Sequence, residues 1–161
     1  MRAISCWLGF AAMLYITPAT TASAKPKTMH ATSGIEVVSR SVNATFCENK
    51  ACEPVSVRIR TGDTFIMYRW GDHREPVRIA NIDAPHTHAN CIGERVNAQR
   101  AVDRLARYLN RATFTMARLH TDQAGTIAFV SINNRDLGDI LSRDRVVRPW
   151  EPRHHSWCSG R

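Results

Sequence analysis

Val77-Arg78-Ile79-Ala80-Asn81-Ile82-Asp83-Ala84-Pro85-His86 is the stretch on which the reading of this chain turns. Its apolar–polar alternation predicts a strand over Val77 to Ile82 that ends where Pro85, lacking an N–H, stops the ladder. At that end Asp83 emerges beside a loop carrying His86 and His88. A second carboxylate, Asp63, sits in Thr61-Gly62-Asp63-Thr64, a turn between two earlier strand-like runs. Two hard oxygen donors on adjacent strand ends, with a strand arginine beside them, suit a divalent cation and a phosphate held together. The plainer reading of Asp63 is a turn aspartate, since Gly-Asp is ordinary turn chemistry. Its register with Arg78 and Asp83 favours the ligand. The plainer reading of Arg78 is an outward strand residue in a surface pair.

Working outward, Val55-Ser-Val-Arg-Ile-Arg60 alternates as a half-buried strand, and Thr64-Phe-Ile-Met-Tyr-Arg-Trp70 reads as the next. Gly71 to Glu75 is a hairpin loop returning through Pro76 into the Val77 strand, so three antiparallel strands form a meander. Upstream, Ile35 to Val42 is expected as a short strand outside the main sheet. Downstream the period changes. From Glu94 to Asn110, Val96, Ala98, Ala101, Val102, Leu105, Ala106 and Leu109 fall at helical spacing. Thr113 to Leu119 and Thr126 to Ile132 are further strands, Asn133-Asn134 a turn, and Leu137 to Ser142 a short helix. This order predicts a mainly β fold with helices (α+β): a five-stranded OB barrel with its main helix after strand 3 and a short helix near the carboxyl end. An open α+β sheet has a similar element order.

At 161 residues the chain has room for one domain with a substantial core. Arg2, the apolar run Ala3 to Ile16 and the small-residue pattern Ala22-Ser23-Ala24 make residues 1–24 a secretory signal peptide, too short for a membrane span. The expected organisation is that leader, an N-terminal extension over 25–54 and the barrel domain over 55–161. The leader holds one of the 22 basic residues and none of the 14 acidic ones, which leaves a net +7 from Lys25 onward. A small basic exported protein favours polyanionic partners: nucleic acid, anionic lipid or acidic glycan. Without Cys6, four cysteines remain, Cys47, Cys52, Cys91 and Cys158, and an even number in an exported chain implies two disulfides with three possible connectivities. Cys47 and Cys52 are near enough to staple one turn, which pairs Cys91 with Cys158. A metal site is the lesser reading, because Cys-x4-Cys lacks a second ligand pair.

Gly62-Asp63-Thr64 followed by Arg78-x4-Asp83-Ala84-Pro85 resembles the thermonuclease family, the staphylococcal-nuclease-like OB domains. Cys91-x2-Glu94, Asp136-Leu-Gly-Asp139, Arg148-Pro-Trp150 and Trp157-Cys158 extend the resemblance, which runs from about Val55 to Cys158. It implies calcium-dependent hydrolysis of DNA and RNA phosphodiesters. It also implies Asp63 and Asp83 as calcium carboxylates, Ala84 as a backbone-carbonyl ligand and Arg78 as the arginine that grips the phosphate. Two positions depart from the family pattern. His86 stands where the family has a water-positioning glutamate. Asp122-Gln123-Ala124-Gly125-Thr126 lacks the family's second phosphate arginine, as though that residue had been deleted. A positioned base is worth typically about 10²–10⁴-fold and one charge-stabilising donor about 10²–10³-fold. His86 has three readings: a neutral base on the attacking water, a transition-metal ligand with Asp83 and His88, or a solvated loop residue.

Arg100, Arg104, Arg107 and Arg111 form a helix stripe, read either as a solvated face or as a contact for a nucleic-acid backbone. Trp70, Trp150 and Trp157 serve packing or base stacking, and Glu94 suits the helix dipole. The main expectation is an exported, periplasmic or extracellular monomer that hydrolyses nucleic acid with a divalent cation and has no lasting membrane insertion. The alternatives are a catalytically degenerate module that binds nucleic acid or a protein, and a basic envelope-surface protein without a nucleic-acid role.

Overall fold

The hairpin that starts the fold is made by two residues of uncommon backbone geometry. Asn49 and Lys50 both have positive φ, 50° and 67°, and this mirror-image turn matches the right-handed twist of paired strands. It joins β1 (Arg40–Glu48) to β2 (Ala51–Ile59). The protein is seen here as a computed structural model that describes residues 36–153 and 155–158. The expected leader and the polar stretch after it lie outside the described residues.

β2 alternates with Val55, Val57 and Ile59 inward. It pairs antiparallel with β3 (Thr64–Tyr68), which pairs with β4 (Arg74–Ile79). β6 (Thr113–Asp122) and β7 (Gly125–Ile132) form the second hairpin. Parallel pairings of β1 with β6 and of β4 with β7 close the sheet into a barrel of six strands. The architecture is thus mainly β with two helices, consistent with an OB-like barrel. Five strands were expected. The sixth is β1, which lies inside the sheet instead of forming a short outer strand over Ile35–Val42. Its signal is faint because only Ala44 and Phe46 along it are fully buried.

A second difference concerns the expected strand Val77–Ile82. β4 stops at Ile79, Ala80 and Asn81 turn, and β5 (Ile82–Asp83) leaves the barrel. Ile79 and Ile82 are both fully buried, yet residues an odd number apart on a straight strand face opposite ways. The turn resolves that conflict and re-aims Asp83. β5 pairs antiparallel with β9 (Arg148–Pro149), so the carboxyl tail runs beside it.

Phe46, Phe65 and Phe114 fill the barrel, with centroids 5.3 Å apart for Phe46–Phe114 and 6.1 Å for the edge-on pair Phe65–Phe114. α1 (Ile92–Leu109) buries Ala98, Ala101, Val102, Leu105, Ala106 and Leu109. Gly62 is required there, because a β-carbon on it would fall 2.4 Å from Ala101 Cβ. β8 (Arg135–Asp136) leads into α2 (Leu137–Arg143), which is capped by the Asp136 side chain accepting from the Asp139 N–H. One inward charge, Glu75, is buried and satisfied by Arg118 at 3.0 and 3.1 Å and by the Thr126 hydroxyl at 2.7 Å. The disulfides are Cys47–Cys52 and Cys91–Cys158, the pairing expected from spacing. Among the described residues no helix is long and apolar enough to cross a membrane.

Candidate functional site

The turn after β2 fixes Asp63 from two sides. Its Oδ1 accepts from the Thr61 hydroxyl at 2.6 Å and the Thr64 hydroxyl at 3.1 Å. Its backbone carbonyl accepts from the Ile79 N–H at 2.9 Å, which fastens the turn to the end of β4. Arg78 sits next to that anchor, paired across the sheet with Thr64. Its Nε lies 3.6 Å from Asp63 Oδ2, and half of its side chain remains exposed. The guanidinium therefore touches the carboxylate and still reaches solvent.

Asp83 arrives on β5, directly opposite Arg148 on β9. The Trp157 indole Nε1 donates to Asp83 Oδ2 at 3.0 Å, and the Arg148 guanidinium lies over the Trp157 ring 3.7 Å from its centroid. Ala84, buried, brings this segment against the Asp63 turn: a β-carbon on Gly62 would come within 3.1 Å of Ala84 Cβ. Arg78, Asp83, His86 and Arg148 line one cleft of about 350 Å³, together with Trp150 and His155. The structure therefore brings Asp63, Arg78, Asp83, Ala84 and His86 into one neighbourhood.

The backbone N–H of His86 donates to Glu94 Oε1 at 2.9 Å. Glu94, buried at 5% exposure, so ties the histidine loop to the first turn of α1, a more specific part than helix-dipole compensation. The Asp83, His86 and His88 donors do not form a cluster. Among the described residues the one grouping of three possible ligands is Cys91, Glu94 and Cys158, whose sulfurs are joined to each other. His88 lines a groove with Arg58, Arg60 and Arg74 and shares a second hollow with His86, Glu94 and Trp157. The helix arginines also stand apart from the cleft. Arg104 pairs with Asp144 at 3.1 Å, and Arg100 and Arg107 line a hollow beside that pair.

On its other flank Arg78 faces the β6–β7 hairpin across a groove of about 300 Å³ lined by Thr64, His120, Asp122 and Gly125. Asp122 closes that turn, and its hydrogen bond with His120, helped by the Ala124 N–H, holds its carboxyl below the usual range. Arg118 and Arg69 are engaged with acidic partners at the barrel wall, Glu75 and Glu53 among them.

Sequence reasoning missed Arg148 as a cleft residue and Trp157 as the partner of Asp83. The signal was present in Arg148-Pro-Trp150 and Trp157-Cys158, since a disulfide back to Cys91 returns the tail to the Asp83 loop. No family model matches the chain, and no curated protein matches it either.

Proposed function

We propose that the protein is an exported hydrolase of nucleic-acid phosphodiesters that works with a divalent cation, an OB-type barrel of the thermonuclease kind. One observation carries this reading. Arg78 touches Asp63 at 3.6 Å and shares a cleft with Asp83, so two carboxylates and a guanidinium converge at one rim. The four cysteines paired as two disulfides support an oxidising, exported setting.

The donor set fits a hard cation. Carboxylates and a backbone carbonyl are oxygen ligands of the kind calcium takes, and His86 and His88 make no three-donor group with Asp83 of the kind a softer metal would use. Asp63, Asp83 and the Ala84 carbonyl would hold the ion, which supplies Lewis-acid polarisation and neutralises charge at the phosphate. Arg78 offers its fork to two phosphate oxygens and stabilises the charge that develops on them. Arg148 adds a second guanidinium from the tail, in a chain that lacks the family's arginine on the β6–β7 hairpin. His86, on the cleft wall, is the candidate to take a proton from the attacking water, since imidazole is a competent base near neutrality.

A second reading has its own support. Trp157 occupies one oxygen of Asp83, Arg78 is drawn toward Asp63, and the family's glutamate is absent. A site closed in this way suits a module that binds nucleic acid or a protein without cutting. The discriminating experiment incubates the protein recovered after export with single-stranded DNA and RNA in calcium, in zinc and in chelator. The hydrolase reading expects calcium-dependent cleavage, reduced about 10²–10³-fold in Arg78→Ala and abolished in Asp83→Ala. Binding without cleavage in every condition would establish the module. No binding at low salt would remove nucleic acid from the account.

A further inference from the structure

The outer face of the β2–β3–β4 meander is basic and extends beyond the cleft that Arg78 lines at its edge. Strand register arranges it in three cross-strand rows. Arg60, Thr64 and Arg78 form the row beside the cleft: the Arg60 N–H bonds the Thr64 carbonyl at 2.9 Å, and Thr64 pairs with Arg78. Arg58, Ile66 and Pro76 form the next, and Ser56, Tyr68 and Arg74 the third. Rows two residues apart are spaced by roughly 6.8 Å along an antiparallel strand. Inward neighbours Val57, Phe65, Met67 and Val77 are fully buried, so the alternate residues face the other way; there Ile66 is covered at the groove floor while Arg58, Tyr68 and Arg74 stay exposed.

These rows floor a groove of about 440 Å³ lined by Arg58, Arg60, Tyr68, Arg74, Thr87 and His88. Among the described residues Arg58, Arg60 and Arg74 make no ion pair, unlike Arg40, Arg69, Arg104 and Arg118 elsewhere on the barrel. Uncompensated like charges gathered in one groove repel one another, and an anion relieves that cost. Tyr68 keeps 37% of its surface exposed, paired across the sheet with Arg74 and one row from Arg58, a π-face offered beside guanidinium forks.

We infer that this groove is a binding track for a single strand of nucleic acid that enters or leaves the Arg78 cleft. Arginine forks match phosphate oxygens in pairs, where an ammonium acts as a point charge. An exposed aromatic gives a base a surface to stack on, the combination found in grooves that track single strands. A strand leaving Arg78 would cross Arg60, then Arg58, then reach Tyr68 and Arg74, with one row for each successive phosphate. The concavity argues against a bilayer, whose flat surface does not reach the groove floor, and an acidic glycan has no base to use Tyr68. The inference rests on the hydrolase reading only for the direction of the track, and binding tests it separately.

The test measures binding of a fluorescent oligothymidylate to the protein recovered after export, in chelator, across a salt series. The variants are Tyr68→Ala and the triple Arg58→Gln/Arg60→Gln/Arg74→Gln, with thermal unfolding as the fold control. Tyr68→Ala is expected to weaken binding roughly 5- to 100-fold by loss of one stacked base. The triple variant is expected to lower the slope of log affinity against log salt by about 2, at about 0.7 per phosphate contact. Heparin and anionic vesicles should show no dependence on Tyr68. Affinity and slope unchanged in folded variants would overturn the track, as would an equal loss of heparin binding in Tyr68→Ala. Cleavage with an intact slope in the triple variant would sink the track and leave the hydrolase reading standing. A variant-sensitive slope without cleavage by the parent protein would do the reverse.

Discussion

Trp157 and Asp83, 74 positions apart, are joined by an indole N–H donating to a carboxylate oxygen at 3.0 Å. The tail therefore orients the very carboxylate that the hydrolase reading assigns to the cation. Removing an outer partner of a ligating group typically costs about 10- to 100-fold in metal affinity or activity. Trp157→Phe keeps most of the packing and deletes the donor. It should raise the half-saturating calcium concentration by about 10-fold or more, while the KM for nucleic acid changes little. Calcium titration of cleavage at saturating substrate checks this, and an unmoved half-saturation point would show that the indole only packs.

The two disulfides make unequal contributions. Cys91 and Cys158 are 67 residues apart and Cys47 and Cys52 only 5. On the chain-entropy model the long closure is worth about 4 kcal/mol and the short one about 2 kcal/mol. Replacing Cys91 and Cys158 by serine should therefore lower the unfolding free energy roughly twice as much as replacing Cys47 and Cys52. It should also weaken calcium dependence, because Trp157 is next to Cys158. Urea unfolding of both double variants gives the comparison, and equal losses would refute the loop-length argument.

Gly62→Ala is predicted to injure fold and site together. The added methyl would meet Ala101 Cβ at 2.4 Å and Ala84 Cβ at 3.1 Å, and Ala101 is fully buried. Overpacking of this kind costs about 1–3 kcal/mol. The strain falls between α1 and the turn carrying Asp63, so cation affinity should drop in the fraction that stays folded. Chemical denaturation with calcium titration measures both. A stable variant with normal affinity would mean that α1 shifts freely.

Much of the fold and of the site was legible because it rests on local pattern. The alternation of Val55, Val57 and Ile59 gave β2, and the apolar stripe from Ala98 to Leu109 gave α1. The Asp63, Arg78 and Asp83 set was readable because Asp63 and Arg78 sit at or beside strand ends of one meander and Asp83 follows a few residues after the last of its strands. What escaped depends on long-range pairing. β1 has too few inward apolar residues to announce itself and is held by β2 and β6. The break after Ile79 follows from where β9 lies, and β9 is only two residues long. Arg148 enters the cleft for the same reason, through a pairing with β5 that no spacing in the sequence encodes. The histidines illustrate the converse: His86 and His88 stand two positions apart and line one hollow with Glu94 and Trp157, yet they form no ligand group with Asp83.

Asp122 gives a pH signature. Its folded-state pKa is depressed, so its contribution to stability is complete above the ordinary carboxylate value and is lost as pH falls through the lower folded value. The group is well exposed, which keeps the effect on global stability small, and a site-resolved method is needed. Carboxyl ¹³C shifts should show Asp122 titrating below the typical exposed aspartate. His120→Ala should return it toward that value, because the His120 hydrogen bond is the leading cause. An unchanged titration would assign the shift to the Ala124 and Gly125 amides instead.

The hairpin that Asp122 closes is also where the hydrolase reading places a gain-of-function change. Gly125 must stay, since its φ is 138° and a β-carbon would lie 2.6 Å from the Pro76 carbonyl. An arginine inserted after it, however, would enter the hairpin wall of the groove shared with Arg78. One added charge-stabilising donor is worth about 10²–10³-fold. Replacing His86 by glutamate adds a carboxylate at the position where the family places its water-positioning residue, with the Glu94 bond to the His86 backbone N–H left in place. The double change should raise calcium-dependent cleavage by more than either change alone, because parts of one site act together. If neither change moves the rate while folding and calcium affinity hold, Asp63, Arg78 and Asp83 do not form a cutting site, and the binding-module reading takes its place.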